Sequence, residues 1–177
     1  MILKNVAISL FVILGILCTS CAKDKGNTSA APVMELEDVE RVLDSSSTYD
    51  SLIRFHFVYS DINGDIGLSE SDTNGLFAFG EDFFYNLFAY MESYENGSWK
   101  SVPNPFNNSV DIHFHERIPP LVPLGEQKDV TGKIDLMIPA RPLDVRLDTV
   151  RFKFQMVDRA MNKSSIIKTK EFRFKHP

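Results

Sequence analysis

The sequence predicts an all-β domain, an antiparallel β-sandwich of about seven strands. Three observations carry this. Apolar residues recur at every second position through most of the chain after residue 32. Turn-forming glycine, proline and asparagine separate those runs, and several of the nine prolines, Pro119, Pro120, Pro123 and Pro139 among them, fall at run ends. Fourteen phenylalanines supply bulky side chains for the space between two sheets.

The elements follow in order. "PVMELEDVERV" reads as the first strand, with a helix over Val33 to Asp44 as the alternative. In "SLIRFHFVY", Ile53, Phe55, Phe57 and Tyr59 share one face and Arg54 and His56 the other. "DFFYNLFAYMESYENGSWKSV" reads as a hairpin turning at Asn96-Gly97, two residues that tolerate positive φ. "VDIHFHERI" is a further strand with Ile112 and Phe114 inward. In "VTGKIDLMIP", Val130, Ile134, Leu136 and Ile138 align. In "TVRFKFQMVD", Val150, Phe152, Phe154 and Met156 oppose Arg151, Lys153 and Gln155. "IIKTKEFRF" closes the domain, and its alternation breaks around Lys168 to Lys170, as at a bulge or an edge.

The first twenty residues stand apart from this pattern. Lys4 precedes the twelve-residue apolar run Val6 to Leu17, too short to span a bilayer and characteristic of a secretory signal. "CTSC" then places the small residues Thr19 and Ser20 before Cys21 and resembles a bacterial lipobox, with Cys18 where leucine is usual. This implies a signal peptide over 1–20, lipid on Cys21 as the attachment to membrane, and an outer-membrane address in the cell envelope with the leaflet open; a cleaved, soluble secreted protein or an uncleaved anchor is the alternative. The polar, aperiodic stretch 21–32 reads as a flexible tether, leaving 33–177 as one domain. With Cys18 removed and Cys21 lipidated, that domain contains neither disulfide nor thiol chemistry.

"YSDINGDIGLSESD" crowds Asp61, Asn63, Asp65, Glu70 and Asp72 into one loop. Calcium takes about six to eight oxygen ligands. Asp61, Asn63 and Asp65 alternate so that their side chains turn toward one point, Gly67 offers a carbonyl, and Asp72, or Glu70, closes the shell. Ile66 stands where an EF-hand needs its sharp-turn glycine, so the loop is a structural calcium strap in this reading, with an Asx-stabilised turn in water as the alternative. Near the end of the domain, "VDRAMNKSS" resembles the strand corner of many bacterial immunoglobulin-like domains, where "D-x-x-G-N-x-S" is common; the resemblance implies that Asp158 and Asn162 hold the turn, with Met161 where that pattern has glycine, and an ion-ligand role for Asp158 stays open.

"FVYSDINGDIGL" together with "DTVRFKFQMVDRAMNKSS" resembles a group of Bacteroidota lipoproteins that share a "DGDGDIGL"-like segment and a "DRALNKSN"-like segment. The resemblance implies an immunoglobulin-like sandwich on the cell envelope and brings no activity with it.

Charge is divided along the chain. Phe55 to Trp99 holds eight acids and no lysine or arginine, while Arg141 to Pro177 holds ten basic residues against four acids. The two segments attract each other within a fold, or the second forms a basic patch for an anionic glycan. Asp111, His113 and His115 share one predicted strand face and form a weaker metal candidate. Trp99, Tyr94 and Tyr90, around the hairpin turn, are candidate stacking surfaces for a glycan, with packing of Trp99 on the sandwich as the alternative. No nucleophile elbow, phosphate loop or zinc-hydrolase helix is present. The expectation is a non-catalytic envelope lipoprotein that binds or scaffolds an unknown protein or glycan partner and no nucleic acid. The alternatives are a glycan-binding accessory of a polysaccharide-uptake system and, from another class, a hydrolase using surface carboxylates.

Overall fold

The computed structural model describes residues 31–45, 49–121, 123, 128–142 and 145–175. The predicted signal peptide and Cys21 lie outside these residues, as does all of the predicted tether except its last two residues. Ten strands are found among the described residues: β1 (Val33–Leu43), β2 (Asp50–Asp61), β3 (Leu87–Glu95), β4 (Ser98–Ser101), β5 (Pro103–Asn104), β6 (Asn107–Asp111), β7 (Val130–Pro139), β8 (Thr149–Met156), β9 (Ile167–Lys168) and β10 (Phe172–Arg173). A 3-10 turn, Gly75–Phe77, lies between β2 and β3. All strand pairs are antiparallel. One sheet runs β1-β2-β7, the second β10-β8-β3-β4 with β9 also on β8, and β5-β6 form a small ribbon.

The strongest alternations in the sequence become the two central strands. Ile53, Phe55, Phe57 and Tyr59 of β2 and Val150, Phe152, Phe154 and Met156 of β8 are all buried. The phenylalanines meet across the sandwich: Phe55 lies 5.0 and 4.9 Å from Phe152 and Phe154, and Phe57 lies 4.8 Å from Phe154, in edge-on or tilted contacts. Each such ring contributes about 1.5–3 kcal/mol by leaving water, and an edge-on pair roughly 0.5–1.5 kcal/mol more.

Within the first sheet, Ile53, Phe55 and Phe57 pair with Ile138, Leu136 and Ile134. Tyr59 pairs with Gly132. A Cβ on Gly132 would stand 2.5 Å from the Tyr59 hydroxyl, so the gap in the apolar series of β7 is the space the tyrosine fills. The hairpin β3–β4 turns where expected, with Asn96 at φ 51° and Gly97 at φ 83°. Residues 33–43 are strand, not helix, and the closing segment splits into the short edge strands β9 and β10.

One element departs from expectation. Ile112 is buried and Phe114 packs on the core, yet regular pairing ends at Asp111. Beyond it only isolated bridges join His113 to Tyr90 and Glu116 to Leu87. The cause is local: the Ala89 N–H, which a continued ladder would give to a carbonyl, instead donates to His115 Nδ1 at 3.0 Å.

The divided charge is resolved inside the fold. Glu92 on β3 binds Arg151 (2.6 Å) and Lys153 (2.8 Å) on β8, and Asp72 binds Arg159. Acids from the first half of the domain are thus paired with bases from the second.

A candidate cation site

β2 ends on Asp61, which is 2% exposed. Its two oxygens accept backbone N–H groups from the loop that follows: Oδ1 from Asn63 at 3.4 Å and Oδ2 from Asp65 at 2.9 Å. This is an Asx-type turn, and it curls the chain so that Asp65 folds back toward Asp61. Gly64 (φ 65°) and Gly67 (φ 113°) let the loop press against its neighbours; a Cβ at Gly64 would collide with the Lys128 carbonyl and one at Gly67 with Pro120.

The third carboxylate comes from the other sheet. Beyond β8, Asp158 is 2% exposed, and its carboxylate holds the corner Arg159–Asn162 by accepting the Asn162 backbone N–H and side-chain amide, each at 2.8 Å. The Arg159 N–H donates to the Asp65 carbonyl at 3.1 Å, which zips the two loops together. One oxygen from each of Asp61, Asp65 and Asp158 lies within 4.8 Å of the other two. Asp65 Oδ1 is buried and has no hydrogen-bond partner among the described residues. Burial raises the Asp65 carboxyl to about 6, helped by its hydrogen bond to Asp61 and by the charges of Asp158 and Asp61.

Two of the residues expected to bind an ion are otherwise engaged. Arg159 takes both oxygens of Asp72, at 2.5 and 2.8 Å, and also reaches the Gly67 carbonyl at 3.4 Å. Asp72 further accepts the Ser69 N–H (2.7 Å) and hydroxyl (2.8 Å). The Arg159 hydrogen bonds hold the Asp72 carboxyl well below the usual carboxylate range and raise Arg159 in turn. Asp72 and Gly67 are therefore corrected from ion ligands to anchors of the loop, and Asp158 stands in the cluster in their stead. Asn63 stays beside the cluster through its backbone bond to Asp61. Within the loop's own sequence no base is present, but Arg117, 45 residues beyond Asp72, also enters it and donates to the carbonyls of Ser69, Asp72 and Phe84.

The histidine pair does not form a metal site. The rings of His113 and His115 stack 4.1 Å apart. His115 Nδ1 is used by the Ala89 N–H, so its proton sits on Nε2 and neither nitrogen is left with a free lone pair. Burial, then the charge of His113, lowers His115 to about 4. His115 instead centres a band of rings, with Tyr90, Phe88 and Tyr85 at 4.7, 5.0 and 5.5 Å. The sequence singles out Tyr90 as an exposed aromatic and His115 as a metal candidate but not their contact with Phe88 and Tyr85, although Phe88 and Tyr90 alternate with the buried Leu87, Ala89 and Met91. Trp99 and Tyr94 lie together at 5.2 Å, but the Arg151 guanidinium covers one face of the indole at 4.4 Å.

Chemically, the three carboxylates form an oxygen-only set, the donor type preferred by hard divalent cations. An unsatisfied buried oxygen within that set fits such an ion. Comparison with known protein families, curated proteins and solved structures gives no match.

Proposed function

We propose that the chain is a non-catalytic cell-envelope protein, attached to the outer membrane through lipid on Cys21, whose immunoglobulin-like sandwich acts as a binding or scaffolding module stiffened by calcium. The observation that carries the calcium reading is Asp65 Oδ1, a buried oxygen with no partner among the described residues, inside a cluster of three carboxylates. Asp61, Asp65 and Asp158 would hold the ion, with Asn63 adjacent, and the ion would neutralise their mutual repulsion. Its effect is mechanical: it would tie the end of β2 to the end of β8, one from each sheet.

Melting temperature measured in excess calcium and in chelator tests this. A ligand at roughly a hundred times its dissociation constant stabilises the native state by about 2.7 kcal/mol. That corresponds to a rise of roughly 5–10 °C in Tm for a domain of this size. Equal melting temperatures would remove the ion from the reading. For the anchor, Cys21→Ala should lose both the lipid mass and membrane partitioning.

One observation favours a second reading, a glycan-binding accessory. The ring band around His115 includes Tyr90, 40% exposed, and places amphipathic ring edges and faces at the surface. A polysaccharide screen that scores a ligand and loses it in Tyr90→Ala would support this reading over scaffolding, whereas loss in Trp99→Ala alone would move the platform to the hairpin.

A further inference from the structure

The side of the sandwich opposite β7 is open. β1 is an edge of the first sheet, eleven residues long with ten of them paired to β2, and the facing edge of the second sheet consists of the two-residue strands β9 and β10. A groove of about 830 Å³ runs between them. Leu36, Val39, Ile167 and Phe172 line it; all four pack on the core and are only partly buried. The core is therefore less covered here than along the β2–β8 axis, and β1 has a strand partner on its β2 side only among the described residues, with the Val39 N–H donated to Asp38 Oδ1 at 2.8 Å.

The charges on the two rims differ. On β1 the residues turned away from the core are Glu35, Asp38 and Glu40, with Glu37 at a register irregularity between Leu36 and Asp38. Glu37 and Glu40 have exposed ion-pair partners in Lys133 and Arg54, while Glu35 and Asp38 have none among the described residues. The opposite rim carries Lys168 and Lys170, together with Glu171, which lies 3.7 Å from the Arg173 guanidinium. An acidic edge with a bulge repels a second copy of itself, since like charges would stand side by side across the new pair. The same edge attracts a strand of opposite charge.

We propose that this groove receives an extended strand from another protein, added antiparallel or parallel to β1, in which lysine or arginine alternates with apolar residues. The period of two puts the apolar side chains over Leu36, Val39, Ile167 and Phe172 and the basic ones beside Glu35, Asp38 and Glu40. Lys168 and Lys170 repel such a strand from the second sheet and so fix it on β1. The proposal is independent of the cation site.

The probe is a capped peptide of roughly nine residues alternating lysine with valine, with a glutamate–valine peptide as its counterpart. Titrated into the isotopically labelled protein, the lysine peptide should shift and protect amides within Val33–Leu43 and 167–172, weakening as salt is raised. Glu35→Lys with Asp38→Lys should weaken the lysine peptide roughly tenfold or more and admit the glutamate peptide. Both side chains are exposed, so the folded state tolerates the exchange. The absence of binding, equal binding of the two peptides by the unaltered protein, shifts centred on the His115 band, or dimerisation through β1 in place of peptide binding would each overturn it.

Discussion

Arg159 holds both carboxylate oxygens of Asp72, at 2.5 and 2.8 Å, across 87 residues of sequence. Parallel two-point bonding of this kind fixes direction as well as distance. It positions the acidic loop against the corner after β8, and the Arg159 guanidinium also lies 5.7 Å from the Phe77 ring. Arg159→Met keeps the aliphatic stem and leaves a largely buried carboxylate unpaired. The expected cost is about 2–3 kcal/mol by chemical denaturation, and Arg159→Lys should recover only part of it.

Asp65 gives the cluster a measurable pH signature. Its carboxyl is raised to about 6 in the folded protein and lies near 4 in the unfolded chain. The folded state therefore binds the extra proton between these values, and the ionised group opposes folding above about 6. In chelator, Asp65→Asn should melt above the unaltered protein at pH 7.5. That advantage should shrink as pH falls through 6 toward 4, where both forms are neutral. In the unaltered protein calcium should remove the same penalty at neutral pH, and the variant should lose most of its calcium response.

His115 acts with the opposite sign. Its folded value, lowered to about 4, lies below the ordinary 6.5, so the unfolded state takes up the proton first. Stability from this group is present above about 6.5 and is lost as pH falls toward 4. His115→Phe preserves the ring among Tyr85, Phe88 and Tyr90 and removes the titration. Measured in saturating calcium, which silences Asp65, the variant should show a flatter loss of Tm between pH 6.5 and 4.5. At pH 7.5 it should be less stable by about 1 kcal/mol, for the acceptor withdrawn from the Ala89 N–H.

Met161 adopts φ 68°, the left-handed region that disfavours any side chain with a Cβ, and is 42% exposed. Relief of that strain is worth roughly 1–2 kcal/mol. Glycine costs about 0.4–1 kcal/mol through the freer unfolded chain. Met161→Gly should raise stability by a net few tenths to about 1 kcal/mol in thermal melts, with no change in calcium response.

The fold was legible wherever a strand is buried on one face. The period-two pattern of Ile53 to Tyr59 and Val150 to Met156 specifies face and partner sheet together, and the Asn96-Gly97 turn specifies its hairpin. Residues 112–116 were half legible: the inward side chains were correct, but the ladder fails because an imidazole takes a backbone donor, which hydrophobic periodicity does not encode. The candidate site was legible on its near side only. Asp61 and Asp65 announce themselves by spacing. Asp72 lies in the same acidic stretch, yet its role is set by Arg159, a partner that no local pattern reveals. Asp158 could be read as a corner residue, but its approach to Asp61 depends on how the two sheets stack.

That approach also orders events during folding. Asp61 and Asp65 share one turn and meet as soon as it closes, whereas Asp158 stands 97 residues beyond Asp61 and arrives only when β8 has docked on β3 and the two layers have joined. The three-carboxylate cluster is thus a late structure, complete only after the most distant pairings of the chain are made. A chain cut short before Asp158, or one with its layers apart, would keep the acidic turn and lack the cluster. Cation affinity would then report the assembled domain, separating finished molecules from those still carrying their hairpins alone.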